Sequence, residues 1–295
     1  MNFEVKPLNA AVGAEITGLD LDAPIEEATR RALYEAWVES GILLFRGIGT
    51  SAERHLAISR CFGTLEVHPV PVLRLASHPE IISLNNTGET EPMIHYFDGE
   101  PIADRSAWHT DTIFTTAPCR AGVLRMVHKS AEGGETGWID TAAAYDALSS
   151  EMKRRIGNLE ARFDFIVDLC DMRFGRFDLL RHGEMGSVKF PKIPSVIHKI
   201  VWTHPESGRK SLNLSPLHLR EIVGMSPDDG DEILEELVRH TTAERFTLVH
   251  DWEVGDMVLW DNWRTMHRAL GIPPHCQREV QRTTINSERV IGRLV

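Results

Sequence analysis

His109 and Asp111 stand two residues apart in Trp108-His109-Thr110-Asp111, and the residue most able to join them, His267, lies 156 positions beyond Asp111. Any fold that uses these residues together must carry the chain back on itself across half its length. On an extended strand, residues i and i+2 project to the same side, so an imidazole and a carboxylate here can reach one point in space. Two ligands are too few for a tight metal site, and His267, in Trp260-Asp261-Asn262-Trp263-Arg264-Thr265-Met266-His267, supplies the missing one. Two histidines and one carboxylate on one face of a metal, with open positions left over, is the ligand set of non-haem Fe(II) oxygenases. A lone H-x-D is weak in a chain with 14 histidines, because an aspartate can equally fix the tautomer of a core histidine.

The pattern of apolar runs limits the architecture. Helical spacing covers residues 24–40, 51–62, 141–156 and 229–240, with Ser51 as an N-cap. Strand-length runs recur at Ile42-Leu43-Leu44-Phe45, 81–84, 122–128, 138–140, 160–167, 246–252, 257–261 and 278–286. Residues 200–205 and 210–214 flank Glu206-Ser207-Gly208 as a hairpin. Many strands, few helices and no βαβ alternation predict a mainly antiparallel core with helices outside, in a single domain over residues 1–295. Residues 85–107 lose all periodicity yet contain His95-Tyr96-Phe97, which favours a lid over a plain surface loop. Residues 168–198, basic and aromatic at Arg173, Phe174, Arg176 and Phe177, read as a second insertion.

A net charge of -11 argues against a nucleic-acid partner. The four cysteines are scattered without a C-x-x-C pair, which suits reduced thiols and a cytoplasmic location. No secretory signal and no membrane span is visible, so no membrane partner is expected, and a homo-oligomer is left open.

Anions can still be held by a few placed arginines. Arg278 and Arg282 fall on one face of a strand, ~13 Å apart at ~3.3 Å per residue. Cations facing inward are costly unless paired. Their partners are either protein acids or anionic ligands, and the separation suggests two anions rather than one.

Together, His109-x-Asp111, His267, Arg278, Gly133-Gly134-Glu135-Thr136 and Trp260-Asp261-Asn262 resemble the TauD/TfdA family of Fe(II)- and 2-oxoglutarate-dependent dioxygenases. The resemblance runs from Ala14-Glu15-Ile16-Thr17-Gly18 to the last strand, and includes the eleven-residue step from His267 to Arg278. It implies a double-stranded β-helix (a jelly-roll, cupin-like core) with the metal at one mouth. It further implies Fe(II) on His109, Asp111 and His267, and the distal carboxylate of 2-oxoglutarate on Thr136 and Arg278. Dioxygen is the second cosubstrate, and succinate and CO2 leave as a C–H bond is hydroxylated. Retention of Asp111 favours hydroxylation over halogenation. Arg282 and His68 match positions that contact an acidic substrate in relatives. Pro71 stands where taurine enzymes carry tyrosine, and Arg105 falls near an expected asparagine, so taurine itself is disfavoured against an aryloxyalkanoate, a sulfonate or a similar acid. Trp263 replaces a common arginine, with no role evident from sequence. The alternatives are a zinc hydrolase on the same triad, which leaves Arg278 and Thr136 unexplained, and a non-catalytic jelly-roll binding protein.

Overall fold

A computed structural model describes residues 3–86, 92–176, 180–182 and 192–295. Part of the expected lid (87–91) and part of the second insertion (177–179, which includes Phe177, and 183–191) therefore lie outside the described residues. Ile42–Phe45 shows why the core takes its shape. All four residues are buried: Leu43 and Phe45 pack with Leu33, Trp37, Ile58 and Phe62, while Ile42 and Leu44 pack with Trp138, Trp252 and Trp260. A strand with apolar partners on both faces has no polar side to show, hence the unbroken run. The outer partners come from helices Glu27–Ser40 and Ala52–Ser59, the second capped by Ser51, whose hydroxyl accepts from Arg54 N at 3.3 Å.

This strand belongs to an eight-stranded sheet. Its order is Glu4–Pro7, Ala14–Thr17, Ile42–Phe45, Met257–Asp261, Ala121–His128, Glu279–Ile285, His78–Asn85 and Arg74–Leu75. Neighbours are antiparallel except for Ala14–Thr17 beside Ile42–Phe45. Across the inner core lies a three-stranded sheet, Thr247–His250, Thr136–Asp140 and Thr265–Ala269. A four-stranded sheet built on Glu160–Phe163 and backed by helix Pro227–Thr241 extends it. The result is the jelly-roll expected from the sequence. Among the described residues no helix is long and apolar enough to cross a membrane.

Three expectations need correcting. The single helix over 141–156 is two, Thr141–Asp146 and Ser150–Ile156, because the Ser149 hydroxyl accepts from Met152 N and starts a new helix. The 85–107 segment is not irregular throughout: Ile94–Phe97 and Glu100–Ala103 form a hairpin. Its two-residue turn, Asp98-Gly99, has positive φ at both positions (53° and 84°), the geometry that fits strand twist and favours Asp-Gly. Third, the strand Thr265–Ala269, which carries His267, is absent from the sequence reading.

Candidate functional site

The two distant histidines meet through the backbone. His109 N donates to His267 O at 3.0 Å and His267 N donates to His109 O at 2.8 Å, an isolated antiparallel bridge that sets the ring centroids 4.2 Å apart. Only His109 is in strand-like pairing. Asp111 already begins a turn that continues through Thr112 at φ 52°, so the H-x-D pair is not on a regular strand as expected. Asn262 pins that turn: Asp111 N donates to its Oδ1 (2.9 Å), and its Nδ2 donates to the carbonyls of Asp111 (3.0 Å) and Cys119 (2.9 Å). Asn262 had no assigned role in the sequence, although it follows Asp261 at the end of a core strand.

The ligand atoms then converge. His109 Nδ1 lies 2.8 Å from Ala107 O. A carbonyl only accepts, so Nδ1 carries the ring proton and Nε2 presents a lone pair. That Nε2 is 3.6 Å from Asp111 Oδ1, and His267 Nε2 is 3.5 Å from Asp111 Oδ2. One ligand atom from each residue fits within 4.8 Å of the other two. Burial opposes charge on Asp111, but Arg282, His267 and His109 outweigh it and hold the carboxyl well below its usual range. Burial, assisted by His109 and Arg282 against Asp111, holds His267 well below the usual imidazole value, hence neutral. An ionised carboxylate and a deprotonated imidazole are the states a divalent cation demands. The donor set fits one.

Arg278 makes the neighbouring feature. Thr136 Oγ1 accepts from Trp252 Nε1 at 3.0 Å and from Arg278 Nη2 at 3.4 Å, which leaves the threonine proton free to donate. Gly134, at φ 88°, lets the chain pass close: a Cβ there would lie 3.1 Å from Arg278 Cδ. Burial pushes the Arg278 guanidinium down to about 10, and the charges of Asp104 and Glu135 offset this only in part. A largely buried cation whose side-chain hydrogen bond goes to a neutral hydroxyl is a place for an anion.

Arg282 is placed otherwise. Its Nη1 donates to Asp111 Oδ1 at 3.2 Å and its Nη2 lies 2.7 Å from Oδ2, so its fork grips a protein carboxylate. His68 is half-buried, with Nδ1 accepting from Val70 N at 3.2 Å, and it feels the charges of Glu66 and Arg282. The two arginines thus face two separate destinations. Beside the triad stands His218, which the sequence reading missed for want of any motif around it. Its ring is edge-on to His109 at 6.4 Å and packs with Phe114 (5.0 Å) and Phe165 (6.3 Å). Burial, then the charge of His109, pushes its imidazole down to about 3. Trp263 gains a role: Arg120 stacks on it at 4.5 Å and its Nε1 donates to Pro118 O.

Residues 4–284 match the family described as taurine catabolism dioxygenase TauD, TfdA family. The chain belongs to the TauD/TfdA family. It is thereby an oxidoreductase of the 2-oxoglutarate-dependent dioxygenase class, which sets aside both the hydrolase and the non-catalytic alternatives. This TauD/TfdA dioxygenase is 30% identical over 267 residues to an (S)-phenoxypropionate/alpha-ketoglutarate-dioxygenase of Sphingobium herbicidovorans, covering 90% of this chain and 89% of that one. It is 28% identical to an alpha-ketoglutarate-dependent 2,4-dichlorophenoxyacetate dioxygenase of Cupriavidus pinatubonensis, covering 99% and 100%. The solved structure of AAD-2 in complex with Mn(II) and N-oxalylglycine superposes with a TM-score of 0.77 at 25% identity, covering 99% of this chain and 100% of that chain.

Proposed function

We propose that this dioxygenase holds Fe(II) on His109, Asp111 and His267, and 2-oxoglutarate on Arg278 and Thr136, and hydroxylates an aryloxyalkanoate or similar small organic acid. The observation that carries the reading is the convergence of three ligand atoms within 4.8 Å. When bound, the ferrous ion supplies the redox chemistry that couples dioxygen and keto-acid decarboxylation to C–H oxidation.

The chain's own residues do the positioning. The Ala107 carbonyl fixes the His109 tautomer, and Asn262 and Arg282 hold Asp111 from its backbone and its carboxylate ends. Arg278 receives the distal carboxylate with a planar fork, and the free Thr136 proton adds a hydrogen bond. Phe114, Phe165 and the neutral His218 give one side of the site an aromatic wall suited to a flat apolar group. His68, within the field of Arg282, is placed for the substrate's acid group.

The test is succinate formation with 2-oxoglutarate, Fe(II) and air, across aryloxyalkanoates, sulfonates and taurine. The expected result is that an aryloxyalkanoate stimulates succinate release in step with its own hydroxylation, and that omitting Fe(II) stops both. Succinate release indifferent to Fe(II), or unstimulated by any organic acid, would overturn the proposal.

A further inference from the structure

A second group of potential ligands lies apart from the triad and shares no residue with it. His95, on the hairpin strand Ile94–Phe97, is fully buried, and its Nε2 lies 3.1 Å from Asp168 Oδ1 across 73 positions of sequence. Asp168 caps the short 3-10 turn Leu169–Asp171, and the same oxygen accepts from Cys170 N at 2.9 Å. One ligand atom each from His95, Asp168 and Cys170 falls within 4.8 Å of the other two.

An ordinary histidine–aspartate hydrogen bond accounts for only part of this. His95 Nδ1 is buried with no partner among the described residues, so the ring is held from one end. The Cys170 thiol donates to the Asp168 carboxylate and is kept protonated by it. Burial and then the Asp168 carboxylate push it up, since two anions in one place repel. A divalent cation removes that conflict. It binds carboxylate, thiolate and imidazole together, and at Zn–N and Zn–O distances of ~2.0 Å and Zn–S of ~2.3 Å a tetrahedral site sets its ligands roughly 3.3–3.8 Å apart. The nitrogen–oxygen pair is already near that spacing. By contrast, the grouping Glu132, His275 and Cys276 has two exposed members and makes no such knot.

We propose that His95, Asp168 and Cys170 form a second divalent-metal site, selective for thiolate-tolerant ions of the zinc type, which fastens the 94–103 hairpin to the 168–171 turn. Binding sends the thiol proton to solvent and moves the imidazole proton to Nδ1, leaving Nε2 as the ligand. No electron transfer is involved. This does not depend on the substrate assignment or on the ligand roles given to the triad.

The experiment uses the full chain, stripped of metal with a chelator and titrated with Co(II), which reports thiolate ligation by a near-ultraviolet charge-transfer band. The expected result is two equivalents bound, with the band arising from one of them. Cys170→Ser should bind one equivalent and lose the band. Asp168→Asn should weaken the banded site at least tenfold. His267→Ala should keep the band, which separates this site from the triad. A wild-type chain that shows no thiolate band at saturation, or a band that survives in Cys170→Ser, would overturn the proposal.

Discussion

Arg120 and Arg278 are both large cations inside the same barrel protein, yet they are treated in opposite ways. Arg120 lies between the rings of Trp37 (4.0 Å) and Trp263 (4.5 Å), donates to Asp261 at 2.6 Å and reaches Glu206 at 3.2 Å. Asp261 takes His204 as well (3.0 Å), and Glu206 accepts from Tyr34 at 2.9 Å. Burial works against the charge on Arg120, but the two carboxylates more than offset it and its basicity rises. Arg278 is also desolvated but gets a hydroxyl at 3.4 Å instead of a carboxylate, and its basicity falls to about 10. The first cluster is closed, each charge answered from within the chain. The end proposed for metal and cosubstrate leaves lone pairs and a cation waiting. Unanswered charge, more than perturbed charge, marks the site, because closed ion-pair networks shift basicity too.

Two variants should separate these regions doubly. His267→Ala removes a triad ligand and should lower substrate-stimulated succinate formation at least ~10³-fold, or ~4 kcal/mol of barrier. It should move the urea midpoint of the metal-free protein less than Arg120→Ala does, since His267 Nδ1 has no hydrogen-bond partner among the described residues and only ring packing on His109 and Trp260 is lost. Arg120→Ala should do the reverse. Leaving the buried Asp261 beside no guanidinium should cost about 3–5 kcal/mol in urea unfolding, with turnover per folded molecule intact. If Arg120→Ala loses turnover in the folded fraction, the closed cluster is part of the machinery and the contrast fails.

The grouping of His109, Asp111 and His267, which the structure brings together as a candidate metal site, was legible in the sequence because those residues stand in an order that one family repeats. The strand Met257–Asp261 was equally legible, its first four residues forming a buried apolar run that ends at the buried Asp261. The strand carrying His267 was not. Thr265, His267 and Arg268 break the apolar pattern, and what holds them in a strand is pairing with Thr136–Asp140, 125 or more positions earlier. The Asp98-Gly99 hairpin had a local signal that went unused, because its flanking strands are short and mixed. Neither the grip of Arg282 on Asp111 nor the place of Trp263 has any local trace. Both follow from which strands lie side by side, and a single sequence does not encode that at short range.

Arg278 sharpens the comparison next. Arg278→Ala should raise the KM for 2-oxoglutarate about 10²-fold, because a cosubstrate carboxylate left without its charged partner loses ~2–5 kcal/mol. The acid substrate should suffer less, and equal damage to both would mean that the arginines share one anion. Arg278→Met should leave the metal-free protein as stable as the wild type or more so, the opposite of what Arg120 variants do, since it deletes a buried charge that Asp104 and Glu135 offset only in part and that has no ion-pair contact among the described residues. A destabilised Arg278→Met would show that the cation is already answered within the fold.

The smallest expected effect concerns acid. Asp261 and Asp111 are held below the usual carboxylate range, so the stability they lend is present above pH ~3.8 and is lost only as pH falls through their still lower folded values. The carboxylates of both clusters should therefore be silent between pH 7 and 5, whereas His267, held well below the usual imidazole value, makes the open site lose stability in that window. Two histidines outside the ligand set should respond likewise. Burial pushes His55 and His218 down to about 3, so from pH ~6.5 downward the unfolded chain binds protons that the folded chain refuses, and stability falls with pH. Each should cost about 2 kcal/mol between pH 7 and 5, at ~1.4 kcal/mol per unit once below pH ~6.5. His55→Leu, on the buried face of helix Ala52–Ser59 and outside the triad, should recover its share in urea midpoints taken at pH 7, 6 and 5. If the acid loss persists undiminished when His218→Phe is added, neither His55 nor His218 is the buried neutral imidazole described; if what remains exceeds the share of His267, the closed Arg120 network is titrating too and its division from the open site would have to be redrawn.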